Sequence, residues 1–140
     1  MKLKIHFDNL KLFRPDNFIG LNKVVGIYFI ATKDISIQYP FAAAKLIYIG
    51  MSERFSNSIA SRLKGHYDGV SKNQGLVNYR KVNDLVFTYI NYHPISHLWH
   101  QSIEDLESYF LQDFVHKFGV YPICNNRTGF PEFYKNNDDV

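Results

Sequence analysis

Two apolar runs interrupt the otherwise mixed pattern of the chain, KVVGIYFIA at 23–31 and KLIYIG at 45–50. Both are dense in β-branched and aromatic residues, which predicts buried strands. The interval TKDISIQYPFAAA carries a proline and polar breaks and reads as a long hairpin connection, so the two strands are expected to pair antiparallel. A third strand is expected in DLVFTYINY, which alternates apolar and polar residues. Between these, SNSIASRLKGHYDG sets Ile59 and Leu63 one turn apart, with Ser56 or Asn57 as a cap and Gly69 as a stop, and predicts a short helix. The stretch from Asp68 to Asn83 is polar and dotted with glycine. SIEDLESYFLQDFVHKFG makes the strongest helix, with Ser102 capping, Asp105 three residues on and Gly119 at its end.

These elements predict an α/β chain of the α+β type, a small central antiparallel sheet of about three strands flanked by helices. Residues 1–22 are expected to form an N-terminal extension packing on the domain, 23–130 the domain itself, and 131–140 a flexible C-terminal tail.

Composition narrows the setting. At 140 residues the chain suits one domain with a real core. Ten tyrosines and twelve phenylalanines make that core rich in rings and leave many phenols needing partners. The single Cys124 excludes an internal disulfide, and the amino terminus MKLKIHFDNL lacks an unbroken apolar segment. The expectation is a cytoplasmic protein with no membrane span. Lys and Arg number 16 against 13 Asp and Glu, and Arg54, Arg62, Lys64, Lys72, Arg80 and Lys81 face only Glu53 and Asp68 in the middle of the chain. Such a stretch suits a polyanion, although a solvated basic surface has the same composition.

The long predicted helix raises a sharper question. At 100° per residue, Ile103, Leu106, Phe110, Leu111, Phe114, Val115 and Phe118 share one face, and Glu107 falls near its middle. A carboxylate in that setting needs a cation, a set of donors or a metal, or else a proton. An interior ion pair with Arg or Lys would also satisfy it. On the short helix, Arg62 and His66 are four residues apart and share one side. Arginine offers a planar fork suited to phosphate, and histidine can move a proton near neutral pH. His93, His97 and His100 invite a zinc reading, but Pro94 and Ile95 break the helix that would align them. No glycine-rich phosphate loop and no Gly-x-Ser-x-Gly elbow is present, and nothing local would activate Cys124.

The order GIY at 26–28, YIG at 48–50, Arg62 and His66 in SRLKGHY, Glu107 in ESYFL and Asn125 in PICN closely resembles the GIY-YIG nuclease superfamily. The resemblance covers about 23–126, as a stand-alone catalytic domain. It implies a divalent-metal-dependent DNA endonuclease or nickase, a hydrolase of phosphodiester bonds, with Mg2+ (or Mn2+) held chiefly by Glu107. It implies further that Arg62 binds the phosphate, that Tyr28 activates or positions the attacking water, and that Tyr48 completes that network. His66 would assist proton transfer or bind the leaving side, and Asn125 would orient its neighbours. A double-strand cut by one such site needs two molecules or two sequential nicks, so a homodimer on substrate is one expectation.

The chain also departs from the family pattern. Nineteen residues separate the two tripeptides, Met51 stands where the excision-repair branch has Lys, and Arg54 and Glu104 are rivals for the roles of Arg62 and Glu107. Readings from other classes are a nucleic-acid-binding module of the same fold without turnover, and a protein-interaction domain using the aromatic surface.

Overall fold

The computed structural model describes residues 10–125. In chain order its elements are β1 (Lys11–Leu12), β2 (Gly26–Thr32), β3 (Ile37–Gln38), β4 (Ala43–Ala44), β5 (Leu46–Ser52), α1 (Ile59–Asp68), α2 (Gln74–Val82), β6 (Leu85–Asn91), α3 (Tyr92–Ile95) and α4 (Ile103–Phe118). The main sheet runs β1-β6-β2-β5 and every pairing in it is antiparallel. β3 and β4 pair separately, within the connection between β2 and β5.

β2 is central, and helices cover both of its faces. That explains why its sequence is continuously apolar rather than alternating. Tyr28 and Ile30 turn to one face, where they meet Phe87, Ile47, Ile59 and Leu63 from α1, and Leu76 from α2. Ile27 and Phe29 turn to the other, with Ile49, Leu106, Leu111 and Phe114 of α4. Burying each of these large side chains stabilises the fold by roughly 1.5–3 kcal/mol.

The sheet has four strands rather than the expected three or so. β1 spans only two residues, too few for any alternation to be read, yet Lys11 pairs with Phe87 and Leu12 with Val86. The residues after it feed Phe13, Phe18 and Leu21 into the core under α1. The region 68–83, polar in sequence, contains α2, capped by the Asn73 side chain accepting from the Leu76 N–H. Its amphipathic signal is faint because Leu76 is its one buried residue. α1 is capped by Ser58 rather than Ser56 or Asn57: Asn57 closes a turn onto Arg54, and the enclosed Ser58 accepts from the Ser61 N–H. α4 is capped by Ser102 at its start and by Gly119 at its end, as its sequence predicts. The tail 131–140 lies outside the described residues. Among the described residues no helix is long and apolar enough to cross a membrane.

Candidate active site

The register of β2 with β5 sets Tyr28 opposite Gly50 and Ile30 opposite Tyr48. Residues on one face of a pleated pair alternate, so Tyr28, Gly50 and Tyr48 all face α1 while Ile27 and Ile49 face α4. The reversed tripeptides are thus two antiparallel strands presenting their tyrosines to the same face. The ring centroids of Tyr28 and Tyr48 stand 6.0 Å apart. Gly50 makes room for them: a Cβ there would lie 2.4 Å from Cζ of Tyr28 and 2.7 Å from Cε1 of Tyr48. Gly26 serves the backbone instead, with φ of +149° and a carbonyl of β6 so close that a Cβ would lie 1.9 Å from the Ile90 oxygen.

α1 brings Arg62 and His66 over this pair. Nε of Arg62 donates to the Tyr28 hydroxyl at 3.4 Å, and Nε2 of His66 lies 2.9 Å from the same oxygen. The His66 ring meets that of Tyr48 edge-on at 4.8 Å. On its other side, Nδ1 of His66 is 2.8 Å from Oγ of Ser71, which also accepts from the Asn73 N–H. Burial, followed by the Arg62 charge, lowers the His66 pKa to about 4, so the imidazole is neutral at pH 7. Burial, then Tyr48, pushes the Tyr28 phenol well above the ordinary range, with Arg62 pulling the other way. The Arg62 pKa is raised, first by Tyr28 and against the effect of burial; Tyr48 and Glu107 add to the rise.

Tyr48, Arg62 and His66 line a cleft of about 400 Å3, together with Asn57, Ser71 and Asn125. Tyr28 is fully enclosed behind them and meets Arg62 and His66 rather than solvent. Asn125 braces the outer edge of β5: its side chain accepts from the Ile49 N–H at 3.0 Å and donates to the Ile49 carbonyl at 2.9 Å, imitating a neighbouring strand. Asn73 secures that segment by donating to the Cys124 carbonyl. Cys124 is buried with its thiol pushed up to about 12, which leaves it inert as a nucleophile.

Glu107 shares the angular sector of the buried Ile103, Leu111 and Phe114 near the middle of the apolar face of α4, and it is half-buried there rather than enclosed. Its charge reaches Arg62. The rival Glu104 is exposed in the first turn of α4, and the rival Arg54 is exposed on the turn after β5, whereas Arg62 touches Tyr28 directly. Among the described residues no three His, Cys, Asp or Glu side chains gather as a metal cage, and His93, His97 and His100 form none. Mg2+ is commonly held by one or two carboxylates with water and substrate oxygens, so a single half-buried Glu107 is compatible with it.

Sequence reasoning did not single out Ser71 or Asn73, and it named Asn57 only as a possible helix cap. Ser71 follows His66 by five residues in a turn, and only the fold shows that it closes back onto the ring. Compared with protein-family models, curated proteins and solved structures, the chain matches none.

Proposed function

We propose that the chain is a divalent-metal-dependent nuclease of the GIY-YIG type, cutting phosphodiester bonds in DNA. One observation carries the reading: Tyr28, Tyr48, Arg62 and His66, from three elements, meet in a single contact network beside a polar cleft, within electrostatic reach of Glu107. Surface chemistry alone gives no reason to assemble these types around an arginine.

Arg62 is the phosphate ligand. Its fork is half-buried and held by Tyr28, and a guanidinium stays cationic while charge grows on a phosphoryl oxygen. Tyr48, on the cleft wall, contacts the phosphate or the attacking water. Tyr28 acts from behind, holding Arg62 and His66 at fixed positions. His66, neutral at pH 7, adds no competing positive charge beside Arg62 and can take a proton. Asn125 keeps β5 aligned so that Tyr48 stays in place. Glu107 would hold the Mg2+ or Mn2+. When bound, that ion supplies Lewis-acid polarisation of the phosphate and a more acidic water.

The cell compartment proposed is the cytoplasm, with DNA as partner and a second copy of the chain joining on substrate when both strands are cut. Arg62→Lys tests the reading, because it keeps the charge and loses the fork. Cleavage of supercoiled plasmid is expected to slow about 100-fold with little change in binding. Undiminished cleavage would contradict the role of Arg62, and binding without cleavage by the wild type would favour the inactive module.

A further inference from the structure

A second cavity, of about 540 Å3, opens where β2 begins and β5 ends. Lys23, Glu53, Phe55, Tyr92, His93 and Ile103 are among its walls. It is separate from the cleft of Tyr48 and Arg62, but the same turn serves both. Asn57 lines the first cleft and Phe55 the second, and the Arg54–Asn57 bridge fixes the two relative to each other. α4 makes a second link, since Ile103 in the cavity wall and Glu107 are four residues apart on one side of that helix. The cavity thus shares the turn after β5 with the first cleft and helix α4 with Glu107.

Its lining combines aromatic rings with a cation. Phe55 is 68% exposed at the tip of a turn whose base is tied by the buried Ser52 hydroxyl donating to the Asn57 carbonyl. An exposed ring on a rigid turn suits a base face. Tyr92 is fixed too, its backbone N–H donating to Val25 and its hydroxyl to the Gln101 carbonyl, which leaves the ring to pack. Lys23 supplies positive charge from a left-handed backbone, φ 62°, which a non-glycine residue adopts only under constraint. Among the described residues the other non-glycine residue with positive φ is also a lysine, Lys72 at 63°, between the Ser71 and Asn73 that line the first cleft. One left-handed lysine thus lines this cavity and the other lies next in sequence to two residues that line the first cleft. Glu53 repels phosphate from its own side of the cavity and so assigns that side to the base.

We propose that this cavity holds a nucleotide flanking the scissile phosphate, its base against Phe55 and Tyr92 and its backbone phosphate on Lys23. The proposal rests on the nuclease reading for the word scissile, but nucleotide binding is measurable without cleavage. A 5′-phosphorylated deoxydinucleotide titrated into the isotope-labelled wild-type protein in chelator is expected to shift the amides of residues 23, 53–55 and 92–93. Phe55→Ala is expected to weaken binding of a short single strand about tenfold. Lys23→Met is expected to flatten the dependence of log affinity on log salt by about one. Both side chains are exposed, so both variants should keep the wild-type spectrum elsewhere. Shifts confined to the Tyr48–Asn125 cleft, no shifts at all, or wild-type affinity in both variants would overturn the proposal. Binding at residues 23 and 53–55 by a protein that never cleaves DNA would uphold the nucleotide site and sink the nuclease reading instead.

Discussion

The Tyr28 hydroxyl and Nε2 of His66 stand 2.9 Å apart, both enclosed beneath α1, with Arg62 donating to the same oxygen. Protonating His66 would put a second positive charge beside Arg62, between two phenols and away from water. The folded protein therefore keeps this histidine neutral, and stability depends on pH in a defined direction. The folded pKa, about 4, lies below the ordinary 6.5. Between these values the unfolded chain binds the extra proton, so stability is fully present above 6.5 and falls as the pH drops towards 4, by on the order of 2–3 kcal/mol. Urea midpoints measured across that window should show the fall, and His66→Gln should flatten it. A wild-type curve flat from 6.5 to 4 would show that His66 is not held neutral.

Gly50 offers a steric test of the same cluster. A methyl group placed there meets both tyrosine rings at once, and neither ring is at the free end of a flexible chain. Gly50→Ala is expected to cost roughly 1–3 kcal/mol and to abolish cleavage by displacing Tyr48. Calorimetry together with a plasmid assay would reveal any decoupling; a stable and fully active variant would mean that the tyrosines tolerate displacement.

Asn125 makes two hydrogen bonds to the backbone of one residue, Ile49. Asn125→Ala should lower stability by about 1–3 kcal/mol. Asn125→Asp should do no better, because it keeps the acceptor for the Ile49 N–H but turns a carboxylate oxygen towards the Ile49 carbonyl. Chemical denaturation separates these cases. An Asp variant as stable as the wild type would mean that the bond to the carbonyl contributes nothing.

Much of this site was legible in the sequence, for a physical reason. The Gly, Ile and Tyr of the two tripeptides do separate jobs, spacing, packing on α4 and facing α1, and each job admits few residue types. Arg62 and His66 were legible as a pair because helical periodicity puts i and i+4 on one side. Glu107 was legible as an anomaly in an apolar stripe, but helical angles do not say how much of the stripe is covered at each turn, and Glu107 is half-buried rather than enclosed. β1 and α2 escaped because two residues show no period and one buried leucine makes no stripe. Ser71 and Asn73 sit in a turn whose path is set by tertiary contacts, and the enclosure of Tyr28 depends on what α1 lays over it.

In the proposed function, Glu107 and the tyrosine–arginine cluster form one metal-dependent nuclease site. Wild-type protein and Glu107→Ala, incubated side by side with supercoiled plasmid and with single-stranded DNA in magnesium, manganese or chelator, test it most directly. The expected result is cleavage by the wild type with either metal, none in chelator, and none by the variant, whose fold should persist because Glu107 is only half-buried. Cleavage by Glu107→Ala at the wild-type rate, or none by either protein on any substrate, would contradict the claim.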